Sequence, residues 1–267
     1  MLTSGGFSNM KKRKELKRCI SKTFKLGAIF ILLTSMLVLV GCSGKENKKP
    51  KEAKTAEKML KEKYNEEFVT YSVGGRWGTL TNSTFTAICS PKDNPDLKFK
   101  AEIDKDGAYI LDEYVSRKVS AKVEESLEKF LKSTVGSFAI KVGATNKNID
   151  SKNSNMSIEE YLNTKGDQGF AIYIVVDKDS LEGVSSTLLY NSLNSAIDSI
   201  PKFKGSMRIY FATKDVLNST REYLKENANI DSNFQDILKN SKNIYSQVND
   251  GILQISLEEF QGKFKEI

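Results

Sequence analysis

LDEYVSRKVSAKVEESLEKFL, residues 111–131, decides the fold class of this chain. Leu111, Val115, Val119, Val123, Leu127 and Leu131 recur every four residues, with Tyr114 and Phe130 beside them. That spacing lays one apolar stripe along a helix of about six turns. Such a helix must bury its stripe against another element, and the flanking sequence offers strands. Upstream, residues 68–73 and 84–89 carry the β-branched and aromatic content of strands. In 97–103, Leu97, Phe99, Ala101 and Ile103 alternate with Lys98, Lys100 and Glu102, so one face is buried and the other wet. Asn94-Pro95-Asp96 supplies the turn of an antiparallel hairpin.

Downstream, residues 138–142 open a second set of elements. GFAIYIVV at 169–176 is nearly all apolar and reads as a central strand buried on both faces. A helix over 184–200 is stopped by Pro201, a strand follows at 207–212, and another helix at 216–224. Residues 244–248 and 252–255 flank Asn249-Asp250-Gly251, a hairpin turn sequence. Ser157 with Glu160, and Ser256 with Glu259, have capping-box spacing and mark helix starts. The expected fold is α+β, with antiparallel-rich sheets packed by long amphipathic helices in two lobes, 55–135 and 136–267. They meet near residues 133–136, and a cleft between them is the default ligand site.

The N-terminal segment reads differently. Lys11, Lys12, Arg13, Lys14, Lys17, Arg18, Lys22 and Lys25 precede an apolar run of sixteen residues, 26–41, broken by Thr34 and Ser35 and closed by Leu39-Val40-Gly41-Cys42. The run falls short of the ~20 residues a spanning helix needs. This layout resembles the bacterial lipoprotein signal, whose Leu-x-Gly-Cys lipobox ends at the cysteine that is lipidated. The resemblance implies a signal peptide over 1–41, a diacylglyceryl group on Cys42, and anchorage at the outer face of the cytoplasmic membrane by two acyl chains. Met10 is followed at once by KKRK, so translation is expected to start there. Residues 42–54 are polar and lysine-rich and are expected to be an extended tether.

Removal of 1–41 changes the electrostatics. That segment holds eight Lys/Arg against Glu15, which accounts for the whole formal charge of +7, and 33 basic residues then balance 33 acidic ones. Nucleic acid is therefore not an expected partner, because the excess of phosphate-neutralising side chains lies in the signal. Of three cysteines, Cys19 leaves with the signal and Cys42 takes the lipid. Cys89 remains, in phase with Phe85 and Ala87, and is expected to face a core.

The chain has no histidine, which removes imidazole-based triads, the usual general base near neutral pH and most zinc sites. GxSxG, Walker A and GxGxxG sequences are also missing. The expected role is a non-catalytic binding or interaction module, engaging a protein, a cell-wall component or a small ligand. The alternative is a hydrolase using carboxylates alone, with Asp104, Asp106, Asp112 and Glu113 as the acids.

Two local patterns are candidate sites. Glu102, Asp104, Asp106 and Gly107, with Glu113 six residues beyond the glycine, have the spacing of a calcium loop. Glu102 stands where aspartate is usual and the incoming segment is a strand, so the expected reading is a strand-to-helix turn without a cofactor. Arg76 and Trp77, in a glycine-rich loop, are a pair of the kind that anchors ligands, although an indole folded back on the core accounts for the same sequence. LKEKYNEEF (60–68) and ICSPKDNPD (88–96) resemble phrases of uncharacterised, membrane-attached Gram-positive proteins, a resemblance that implies no activity.

Overall fold

Pro50 opens the folded part of the chain. A computed structural model describes residues 49–75, 83–147, 149–164, 168–200, 202–228 and 230–267, of which Pro50–Ile267 forms one compact unit. Helix α1 (Lys51–Tyr64) follows Pro50 directly and buries Ala53, Ala56, Leu60 and Tyr64, spaced three and four apart. Asn65, in the left-handed region at φ 56°, ends it by donating its N–H to the Lys61 carbonyl at 2.7 Å. The expected tether through residue 54 is therefore too long. Its last four residues are helical because Ala53 and Ala56 continue the phase of Leu60, a signal hidden among lysines.

The first sheet is an antiparallel meander of β1 (Phe68–Gly75), β2 (Thr84–Pro91), β3 (Phe99–Asp104) and β4 (Ile110–Asp112). Phe85 lies opposite Ile103, Ala87 opposite Ala101 and Cys89 opposite Phe99, all buried. Helix α2 (Tyr114–Leu131) follows and buries Val115, Val119, Val123, Leu127 and Leu131. Valines cost a helix a few tenths of a kcal/mol each, whereas full burial of such a side chain contributes ~1.5–3 kcal/mol, so packing decides. Leu111 does not belong to the stripe. It sits on β4 opposite Glu102 and is 48 % exposed. The Asp112 carboxylate accepts the Tyr114 N–H at 3.0 Å just where strand gives way to helix.

The second sheet has the order β5 (Phe138–Ala144), β6 (Phe170–Asp177), β7 (Gly205–Ala212), β8 (Lys242–Asn249), β9 (Ile252–Leu253). β6 and β7 are parallel, joined through α4 (Ser186–Asp198), and the other neighbours are antiparallel. Gly205 pairs with Phe170 at φ +150°, where a Cβ would come 1.8 Å from the Phe170 carbonyl oxygen, so no other residue fits. Asp250 and Gly251, both at positive φ, make the tight β8–β9 hairpin. The remaining helices are α3 (Ile158–Leu162), α5 (Lys214–Glu226), α6 (Ser232–Leu238) and α7 (Leu257–Phe264). Ser157 and Glu160 form the reciprocal capping box at α3, and Ser256 caps α7. The sequence reading had no α6, whose start is capped by Asp231 accepting the N–H groups of Asn233 and Phe234.

One apolar core runs through the unit. It joins Leu60 of α1, Phe99 and Ile103 of the first sheet, the α2 stripe, Ile172 and Ile174 of β6, Leu193 of α4 and Phe260 of α7. The second sheet's other face is covered differently. There Leu217 of α5 with Phe234 and Leu238 of α6 bury Val175, Tyr210 and Ala212, while Ala171 and Tyr173 stay half-buried. β6 is thus sealed on both faces over part of its length, not throughout as its composition suggested.

Candidate functional site

The incompletely covered end of that face forms a cleft of about 190 Å³, bounded by α2, β5, β6 and the segment after α5. Its construction starts with Glu124 of α2. The carboxylate accepts the Val142 backbone N–H at 2.9 Å and is gripped by both terminal nitrogens of Arg117, two turns back on the same helical face, at 2.9 and 2.8 Å. The helix thereby satisfies an outward N–H of strand β5. Ser116 continues the seam, its hydroxyl lying 2.8 Å from the carbonyl oxygens of both Glu113 and Lys147. On the far side Ala228 and Ile230 lie between α5 and α6, a segment framed by Tyr223, whose hydroxyl donates to Asp231 at 2.5 Å.

Lys141 gives the cleft its chemistry. It projects from β5, lines the cleft and is 8 % exposed. Among the described residues it has neither a hydrogen bond nor an ion pair. Burial, reinforced by the neighbouring Arg117 charge and opposed by Glu124, lowers its ammonium pKa to about 8. The Arg117 Nε–H is also buried without an acceptor. One stretch of wall is small and apolar: Gly143, Ala144, Ala171 and Ala228 contribute little volume, and a Cβ added to Gly143 would meet no atom within 4 Å. A buried cation without a counter-ion, in a cleft with unused donors, is suited to receiving an anion.

The residues singled out from sequence fare unevenly. Cys42, Arg76 and Trp77 lie outside the described residues. Glu102 accepts the Thr84 hydroxyl at 2.9 Å across the β2–β3 pair. Asp104 accepts the N–H groups of Asp106 and Ala108 at 3.1 and 3.2 Å, and Gly107 takes φ +75° to close the β3–β4 turn. The pattern is therefore a turn, and among the described residues no three acidic or sulfur side chains gather as metal ligands. Glu113 alone of these candidates borders the cleft.

Asp112 is committed to Lys63 at 2.8 Å, the Tyr64 hydroxyl at 2.7 Å and the Tyr114 N–H. Burial, with Asp112 beside it, drives the Tyr64 hydroxyl far above the usual tyrosine range. Cys89 faces the core, where burial pushes its thiol up to about 11. Lys141 escaped the sequence reading because a lone lysine in FAIKVGA looks like a solvated strand position. Its one sequence signal is the apolar run on both sides of it.

No family model matches the chain, and no curated protein matches it. Among solved structures it is similar to a DUF5037 family protein from Ruminococcus gnavus, at 16 % identity and a TM-score of 0.64, over 80 % of this chain and 98 % of that one. At that identity the likeness concerns the fold.

Proposed function

We propose that this chain is an extracytoplasmic lipoprotein, held at the outer face of the cytoplasmic membrane by a diacylglyceryl group on Cys42. Its folded unit is a non-catalytic binding module that takes a small ligand in the cleft beside β5. The observation that carries the binding reading is Lys141, buried and unpartnered on a cleft wall of small residues. No carboxylate among the described residues is hydrogen-bonded to its amine, which leaves the ammonium available to an anionic ligand. The anchor reading rests on the lipobox sequence and on the charge balance left once 1–41 is removed.

Fatty-acid labelling in cells, followed by membrane fractionation, tests the anchor. The parent chain should carry label and sediment with membranes, and Cys42→Ser should lose both. Equal labelling of the two would sink this part of the reading.

A further inference from the structure

Resting on the cleft as the ligand site, we infer that the ligand is a short monocarboxylate, its carboxylate on Lys141 and its apolar body against the small-residue wall. Charge selects the valence. Arg117 is neutralised by its two bonds to Glu124, and in the sum of lining charges Lys147 and Glu113 cancel, which leaves a net single positive charge with Lys141. A monoanion balances that charge, whereas a phosphate dianion would leave a negative charge buried beside Glu113 and Glu124.

Geometry selects the size and character. At about 190 Å³ the cleft is smaller than those that take drug-sized ligands, which favours a short acid. Gly143, Ala144, Ala171 and Ala228 offer no side-chain hydrogen bonds, so the part of the ligand lying against them is hydrocarbon. The unsatisfied Arg117 Nε–H is a further donor at the same wall. The groups facing Lys141 are Glu113, Arg117 and Glu124 from α2, Lys147 from its own strand's exit and Tyr173 across β6. Lys141 is the one among them that loses charge near pH 8, so affinity should fall as pH rises through that value.

Calorimetric titration of the full chain in mild detergent tests this with butyrate as the probe and butyramide and inorganic phosphate as comparators. Butyrate should bind saturably, at least tenfold tighter than either comparator at pH 7. Lys141→Met should weaken butyrate at least tenfold while raising the melting temperature, and Gly143→Val should do so by filling the cleft with Lys141 intact. If butyrate and butyramide bind alike and Gly143→Val weakens both, the charge assignment is overturned while the cleft stays the ligand site. Tighter binding of phosphate than butyrate overturns the carboxylate. Absence of binding by every probe, or binding indifferent to both substitutions, overturns the cleft along with the ligand.

Discussion

Two buried charges in this molecule are handled in opposite ways. Asp112 has a fully buried side chain, and its oxygens receive Lys63, the Tyr64 hydroxyl and the Tyr114 N–H within 3.0 Å. Around it Tyr64, Phe68, Phe99 and Tyr114 pack ring against ring. Lys141 is nearly as buried, and among the described residues no hydrogen bond or ion pair meets it. The first charge belongs to the fold, because every group desolvated with it has found a partner. The second adds a cost that the fold leaves uncompensated, which is the signature expected of a group held ready for something else.

Breaking the satisfied site should have the larger effect. Asp112→Ala leaves the Lys63 ammonium and the Tyr64 hydroxyl without their acceptor, and urea unfolding should show a loss of roughly 4 kcal/mol. Removing the unsatisfied charge should act in the other direction. Lys141→Met should raise stability at pH 7 by on the order of 3 kcal/mol, the equivalent of a pKa lowered from 10.5 to about 8.

The pH dependence has a defined sign. Below pH 8 the lysine is protonated whether the chain is folded or not, and the penalty is fully present. Between about 8 and 10.5 the unfolded chain holds more protons, so the parent's stability climbs with pH. The gap between parent and Lys141→Met should therefore close across that window. A constant gap in unfolding curves from pH 7 to 10 would show that Lys141 carries no buried charge.

The Arg117–Glu124 pair lies between these extremes. Glu124→Gln can still accept the Val142 N–H, but the guanidinium loses its counter-ion and becomes a second uncompensated cation in the cleft. Chemical denaturation should report a loss of ~1–2 kcal/mol. The same variant should bind butyrate more tightly than the parent, since a negative charge acting on Lys141 is gone. Weaker butyrate binding by Glu124→Gln would show that the clamp shapes the cleft more than its charge tunes it.

Much of the fold was legible because its signals are local. The stripe of α2, the alternation of Phe99, Ala101 and Ile103, the apolar run of β6 and the Asp250-Gly251 turn each lie within a few residues. The misreadings occur at boundaries. Leu111 matched the helical spacing but ended as an exposed strand residue, and α1 began earlier than its lysine-rich start implied. Short α6 went unread because one capping aspartate and a single turn of apolar residues make a weak pattern. Little of the site was legible. Glu124 reaches Val142 across 18 positions, and Ala228 lies far along the chain from Lys141, so no window of sequence contains the cleft.

Composition and spacing set the α+β class, the order of most elements and the expectation of a lipid on Cys42, because periodicity and processing motifs are read along the chain. Whether a given lysine is solvated or buried is a property of what packs over it. α5 and α6 leave Ala171 and Tyr173 only half-buried, and α2 brings Arg117 and Glu124 against the edge of β5. That docking turned Lys141 from an ordinary strand lysine into a desolvated, unpartnered charge, since desolvation depends on neighbours in space.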